Sequence, residues 1–425
     1  MLIKFIKLLL VICIYFIFNT EQVSSQTVRV SDFGFNSDDS TKAIIDALNS
    51  ISDTIIFDKQ KSDWITLPIS IKNIHKKTLI FEKGVSLRAK SGEFKNPNDR
   101  LFEIINGRDI NIIGYGATFI MEKKEYNGGE WRHAISLRNC KNIIIKGLTI
   151  KDSGGDGIYI AGLKKGTYSE NILIEDIKSI NNRRQGMSII SVQNLLVKNS
   201  SFNLTNGTLP GAGVDIEPNN SDDRAVNIRF EKCSFVQNNH AGIVLALNKL
   251  DTTSIDVSIE FYDCYLSMNH HPDNKYPASE IIFSANNTNP VKGKVLFEEC
   301  FIDRSNWGLF YSRKQSNAYH VTFKNCAAKN ICQNNSMAPI YLEVPDYYKT
   351  YGSLGGYTFD NLLLEYKVDL PLLVVRGSKL NTLKNLEDIN GSITAIGNIT
   401  ESFLYKNYNP ENNINVNITN TVLRE

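Results

Sequence analysis

Apolar residues along this chain fall into a short recurring triplet: one apolar position, an apolar or small one three places on, and another five places on. The triplet is written as Phe230, Cys233 and Phe235, then as Phe261, Cys264 and Leu266, as Phe297, Cys300 and Ile302, and as Phe323, Cys326 and Ala328. Ile145, Leu148 and Ile150 open the series, Ile174, Ile177 and Ser179 and then Val197, Ser200 and Phe202 continue it, and Phe359, Leu362 and Leu364 close it. Weaker copies at Phe81 and Ile113 extend it upstream. From Ile145 to Phe359 the copies are 23 to 36 residues apart. No stretch keeps the three- and four-residue spacing of a helix, so each copy reads as one turn of an all-β parallel solenoid whose loops absorb the irregular steps.

A second element recurs once per turn, a Gly or small residue followed by apolar, any, apolar: Ala134-Ile-Ser-Leu, Gly157-Ile-Tyr-Ile, Gly186-Met-Ser-Ile, Gly213-Val-Asp-Ile, Gly242-Ile-Val-Leu and Gly308-Leu-Phe-Tyr, with Glu280-Ile-Ile-Phe in one turn. With a two-residue side-chain period, the second and fourth residues after the small one face outward. The second-place row is Ser136, Tyr159, Ser188, Asp215, Val244, Ile282, Phe310, and the fourth-place row begins Arg138, Ala161, Ile190, Glu217, Ala246. Just before the small residue stand His133, Asp156, Gln185, Ala212, Ala241, Ser279 and Trp307, and one place earlier Arg132, Gly155, Arg184, Gly211 and His240. Polar groups gather in the early turns; the later ones become apolar, which reads as packing under a loop or tail.

The four cysteines of the triplets share one position, which predicts free, buried thiols stacked about 4.8 Å apart. No paired Cys-x-x-Cys occurs, and the adjacent His270 and His271 read as loop residues, so no metal site is expected. Composition changes little: the formal charge is +2, too balanced to argue for nucleic acid or a polybasic membrane contact. Residues 1–25 read as a secretory signal peptide, with Lys4 and Lys7 before an apolar run from Leu8 to Phe18 and small residues at Ser24 and Ser25. That run is short for a spanning helix. The expectation is a secreted protein, extracellular or periplasmic according to its source, without membrane attachment after cleavage. One solenoid domain then fills 26–425, with clear turns over about 75–365 and C-terminal turns and a tail over 366–425. A short helix carrying Ile44, Ile45 and Leu48, capped by Asp38 or Asp39, would cover the open end of the solenoid.

Val28-Arg-Val-Ser-Asp-Phe-Gly-Phe35, that helix and the following turns resemble the right-handed parallel β-helix proteins of the pectin-lyase-like superfamily, over residues 27 to about 365. The strings Gly-Gly-Asp-Gly-Ile-Tyr, Arg-Arg-Gln-Gly-Met-Ser and Gly-Val-Asp-Ile-Glu-Pro-Asn look like those of bacterial members. The resemblance implies a single-stranded right-handed parallel β-helix and a carbohydrate-active protein. The Asn-Thr-Asp, Gly-His-Gly and Arg-Ile-Lys strings of polygalacturonases are absent, so it does not imply pectin hydrolysis.

Asp215 and Glu217 stand two apart on one strand, with Cβ atoms about 7 Å apart on one face. That suits the acid and the second carboxylate of glycoside hydrolysis; the bland alternative is two solvated carboxylates. Asp156, in a glycine-rich turn that admits close backbone approach, lies roughly 14 Å from Asp215 by strand geometry and reads as substrate-binding or as a turn residue. Arg132, Arg184 and His133 could hold an anionic sugar or only pair with nearby acids. Trp131, Tyr126 and Tyr159 offer flat faces to sugar rings, and Gln185 joins the same polar cluster. The leading reading is a glycoside hydrolase acting on a polysaccharide or oligosaccharide, without a cofactor. A polysaccharide lyase or uronate epimerase, with Ca²⁺ and a base among Arg184, Arg132, His133 and Tyr159, is the second reading, and a glycan-binding or adhesion β-helix the third.

Overall fold

The computed structural model describes residues 26–270, 279–334, 337–346, 352–379 and 383–423. The signal-peptide reading and His271 lie outside them. Among the described residues the strands form one 24-stranded and one 12-stranded sheet, the strands of neighbouring turns pairing in parallel, with one register shift between Phe359 and Leu362. The chain winds as a right-handed parallel β-helix. One turn runs from Ile135–Arg138 in the smaller sheet to Lys141–Lys146 and Thr149–Lys151 in the larger, then returns at Ile158–Ala161, one rung on.

The triplets line the interior because each begins on one inward position and ends on another across a corner. Phe230, Phe261, Phe297 and Phe323 stack with centroids 5.0, 4.8 and 4.9 Å apart, close to the strand spacing, since parallel register sets equivalent side chains one above another. Cys233, Cys264, Cys300 and Cys326 form the adjacent column, all buried free thiols, as are Cys140 and Cys332. Upstream the ladder is shifted from the expected one: Ile145 pairs with Ile112, and Ile112 with Leu79, so Ile113 faces outward. Phe81 is buried in a neighbouring column, where it stacks on Phe57.

Asparagine has its own position. Asn142, Asn171, Asn194 and Asn227 all adopt left-handed φ of 52 to 60° and link side chain to side chain along the stack. A short amide tolerates that conformation and satisfies its neighbour at once.

The helix over Thr41–Asn49 buries Ala43, Ile44, Ala47 and Leu48 against the first turns, with Ile45 left on the surface. Its N-cap is Ser40, while Asp39 accepts the Thr41 backbone N–H at 3.0 Å. Pairing begins at Thr27–Arg29 and continues to Asn413–Leu423, so residues past 365 form further turns and the tail is the last rung.

Candidate functional site

The 12-stranded sheet carries the outward rows. Its register places Ser136, Tyr159, Ser188, Asp215, Val244 and Ile282 in one column, as the spacing predicts. Ile282 then pairs with Tyr311, and Phe310 is buried in the core. The Gly308 string therefore sits one residue out of the expected alignment, because Glu280 stands where other turns have the small residue, and Trp307 leaves the row assigned to it.

Strand Ala212–Ile216 presents Asp215, and Glu217 follows directly. Arg184, in the corner before strand Gln185–Ile189, ties the carboxylates together. Its Nη2 donates to Glu217 Oε2 at 2.9 Å, its Nη1 stands 3.8 Å from Asp156 Oδ1, and its Nε stands 3.4 Å from Glu130 Oε2. Asp156 and Glu217, which come from different turns, thus share one guanidinium. Burial works against the charge on Arg184, but Asp156, Asp215 and Glu217 outweigh it and hold the guanidinium firmly protonated.

Asp215 is fully buried. Burial, then the charge of Glu217, push its carboxyl well above the usual carboxylate range; Arg184 opposes them, while Asp156 and a hydrogen bond with Glu217 add to the rise. A carboxyl so placed holds its proton more firmly than a solvated one. Gln185 holds it: Nε2 donates to Asp215 Oδ2 at 2.9 Å and Oε1 accepts the Ala212 N–H at 2.8 Å. With both ends engaged and no exposure, Gln185 positions the acid instead of meeting a ligand.

His133 stacks on Tyr159 at 4.3 Å and 6°. Its Nδ1 accepts the Asp156 backbone N–H at 3.1 Å and stands 3.1 Å from Asp156 Oδ2. Burial, against the attraction of Asp156, pushes its pKa down, so the ring is neutral with its proton on Nε2. His133 Nε2, both Asp156 oxygens, Arg184 Nε and Asp215 Oδ1 are buried without a hydrogen-bond partner. Such atoms are rare in folded proteins and mark sites that meet a ligand or water.

Two other candidates are spent on the scaffold. Arg132 donates to the Phe94 and Lys95 carbonyls at 3.0 and 3.1 Å and to Gly128, over the Tyr126 ring. Tyr126 is itself buried. A Cβ at Gly155 would lie 2.4 Å from the Glu130 carbonyl, and one at Gly154 would lie 2.3 Å from Tyr126. The glycines thus seat the loop before strand Ile135–Arg138, and the close approach they permit is to this loop. Trp131 rides on it, half exposed.

From Asp215 a groove of about 880 Å³ runs along the later rungs. Val244, Ile282 and Tyr311 floor it, with Arg184, Arg313, Arg376, Glu130, Glu217, Glu343 and Asp346 around it. The later turns that read as a packed face are thus an apolar groove floor. Glu130, Arg313, Glu343 and Arg376 were not legible beforehand, since they lie in loops or in turns without the glycine string; the fourth-place row, carried past Ala246 in the correct register, reaches all of them except Glu130.

The sequence signature described as "Right handed beta helix region" matches residues 106–270. No curated protein matches the chain. Among solved structures, the A-module of the Azotobacter vinelandii mannuronan C-5 epimerase AlgE6 is similar over 93% of this chain and 99% of its own, at 10% identity and TM-score 0.59. The catalytic unit of a GH87 α-1,3-glucanase from Streptomyces thermodiastaticus is similar over 94% and 69%, at 12% and 0.54. The Streptococcus pneumoniae surface protein and adhesin PfbA is similar over 94% and 100%, at 14% and 0.54. These likenesses describe a shared fold, which hosts different activities.

Proposed function

We propose that this right-handed parallel β-helix chain, which resembles the pectin-lyase-like superfamily, is a secreted carbohydrate-active enzyme, a glycoside hydrolase acting on a polysaccharide or its oligosaccharides. One observation carries the reading: Asp215, its buried carboxyl pushed well above the usual carboxylate range, lines a groove beside Glu217. A carboxyl kept neutral by its surroundings is what protonation of a glycosidic oxygen requires.

In this reading Asp215 gives its proton to the leaving oxygen as the bond to the anomeric carbon breaks. Glu217, 40% exposed and ion-paired to Arg184, is the second carboxylate and takes a proton from the attacking water. Attack by water held between the two carboxyls needs them about 6.5 to 9.5 Å apart. The reaction as drawn uses no metal ion.

The same geometry weighs against a lyase or epimerase. Arg184 is held protonated, burial and then Asp156 push Tyr159 upward, and His133 Nδ1 is occupied, so each is poorly placed to abstract a proton. With Asp215 neutral, four carboxylates and three guanidinium groups line the groove, a balance that favours a neutral glycan over a polyuronate.

The test is a panel of neutral, uronate-containing and sulfated polysaccharides, assayed for new reducing ends and for the ultraviolet absorbance of unsaturated uronates. Reducing ends without absorbance, lost about 10²–10⁴-fold in Asp215→Asn and Glu217→Gln, are the expected result. Absorbance surviving both substitutions would overturn the reading, and binding without turnover would favour an adhesin.

A further inference from the structure

The groove is open on one side of Asp215 only. Towards the C-terminus it continues past Val244, Ile282 and Tyr311 to Arg376, five rungs on, or roughly 24 Å at strand spacing. Towards the N-terminus the same outward column is covered as far as Glu103, apart from the half-buried Tyr159, whose ring stacks on His133. Ser188, Ser136 and Glu103 are buried, and Glu103 is enclosed by Arg100 and Arg138, with Nη1 atoms at 3.3 and 3.8 Å, and by Ser70 at 2.9 Å. Arg132 latches the loop bearing Glu130 and Trp131 onto residues 94–95, and that loop sits on Gly155 with no room for a Cβ.

The closed end of the groove is lined by Glu130, Arg184, Asp215 and Glu217. Arg184 donates there to Glu217 and stands 3.4 Å from Glu130, so the end sets donors beside acceptors. The hydroxyls of a single sugar can both donate and accept, and so can satisfy them, whereas the apolar floor on the open side suits the faces of successive rings.

We infer that the protein acts at a chain end, one terminal sugar of a neutral glycan filling the closed end and the rest of the chain lying along the open groove. The inference rests on the glycoside-hydrolase reading and adds its mode of attack. The polymer is cut one unit at a time, because the groove ends beside Asp215.

The experiment incubates the wild-type protein with soluble neutral polysaccharides: a galactan, a mannan, an arabinan, and α- and β-linked glucans. Reducing ends, specific viscosity and product size are followed together. The expected result, on the polymer that is cut, is a monosaccharide as the sole early product, with viscosity retained while reducing ends accumulate. An early ladder of oligosaccharides with collapsing viscosity would overturn chain-end attack and leave the hydrolase reading standing. No reducing ends on any polymer would overturn the hydrolase reading, and this inference with it.

Discussion

Gln185 donates its amide Nε2 to Asp215 Oδ2 at 2.9 Å across one rung while its carbonyl takes the Ala212 N–H. A neutral residue thereby fixes the orientation of the buried acid. Gln185→Leu removes a donor that favours the charged form and strands a buried N–H. Its expected effects are a further rise in the Asp215 pKa, an alkaline limb of the kcat profile moved to higher pH, a lower kcat, and a stability loss of about 1–3 kcal/mol. A pH–rate profile beside a urea titration checks all of these.

Arg184 is the one guanidinium shared by Asp156, Glu217 and Glu130. Arg184→Met leaves Asp156 buried without the guanidinium that faces it. The expected cost is about 3 kcal/mol, the low end for a broken buried pair because Glu217 is 40% exposed. Urea denaturation of the variant beside wild type checks this, and an unchanged midpoint would speak against it.

Two buried groups away from the groove set a pH dependence of stability. Burial pushes Glu280 up from 4.5 to about 7, against hydrogen bonds from Asn269 and Ser305, and pushes Lys314 down from 10.5 to about 7. Between pH 4.5 and 7 the folded chain keeps a Glu280 proton that the unfolded chain releases, so stability falls as pH rises. Between pH 7 and 10.5 the unfolded chain keeps a Lys314 proton that the folded chain lacks, so stability rises with pH. The acid arm is worth roughly 3 kcal/mol and the alkaline arm roughly 5 kcal/mol, and the denaturation midpoint should pass through a minimum near pH 7. Glu280→Gln should flatten the acid arm and Lys314→Met the alkaline one.

The thiol column should be chemically silent. Burial pushes Cys140 up to about 11, and Cys264, Cys300 and Cys326 are raised as well, first by hydrogen bonding within the column. The six buried cysteines should not react with an aromatic disulfide reagent in the native protein and should all titrate in guanidinium chloride. Rapid reaction of any one in the folded state would contradict the packing.

Asn171 stands at φ 56°, with its side chain bonded to Asn142 and Asn194 at 3.0 and 2.8 Å. Asn171→Ala should cost about 2 kcal/mol, from the strained backbone and the lost ladder. Asn171→Gly keeps the turn and should cost less, about 1 kcal/mol. Equal losses in a denaturant series would show that backbone conformation is not what selects asparagine there.

The sequence by itself determined the solenoid, because parallel register repeats one side-chain environment every turn and so prints the core as a recurring triplet. It also determined the columns of Phe and Cys, and it placed Tyr159, Ser188 and Asp215 in one outward row through the two-residue period. It misplaced Ile113, Phe310 and Trp307, where no small residue marks the corner and the register is settled by pairing. Only the tertiary structure decided that Arg184 faces Asp156, Glu217 and Glu130 together, since these come from different turns and loops of unequal length. The structure likewise turned Arg132 and Gln185 from candidate binders into supports. Both follow from where neighbouring carbonyls and amides lie, and the linear pattern of polar residues does not specify those positions.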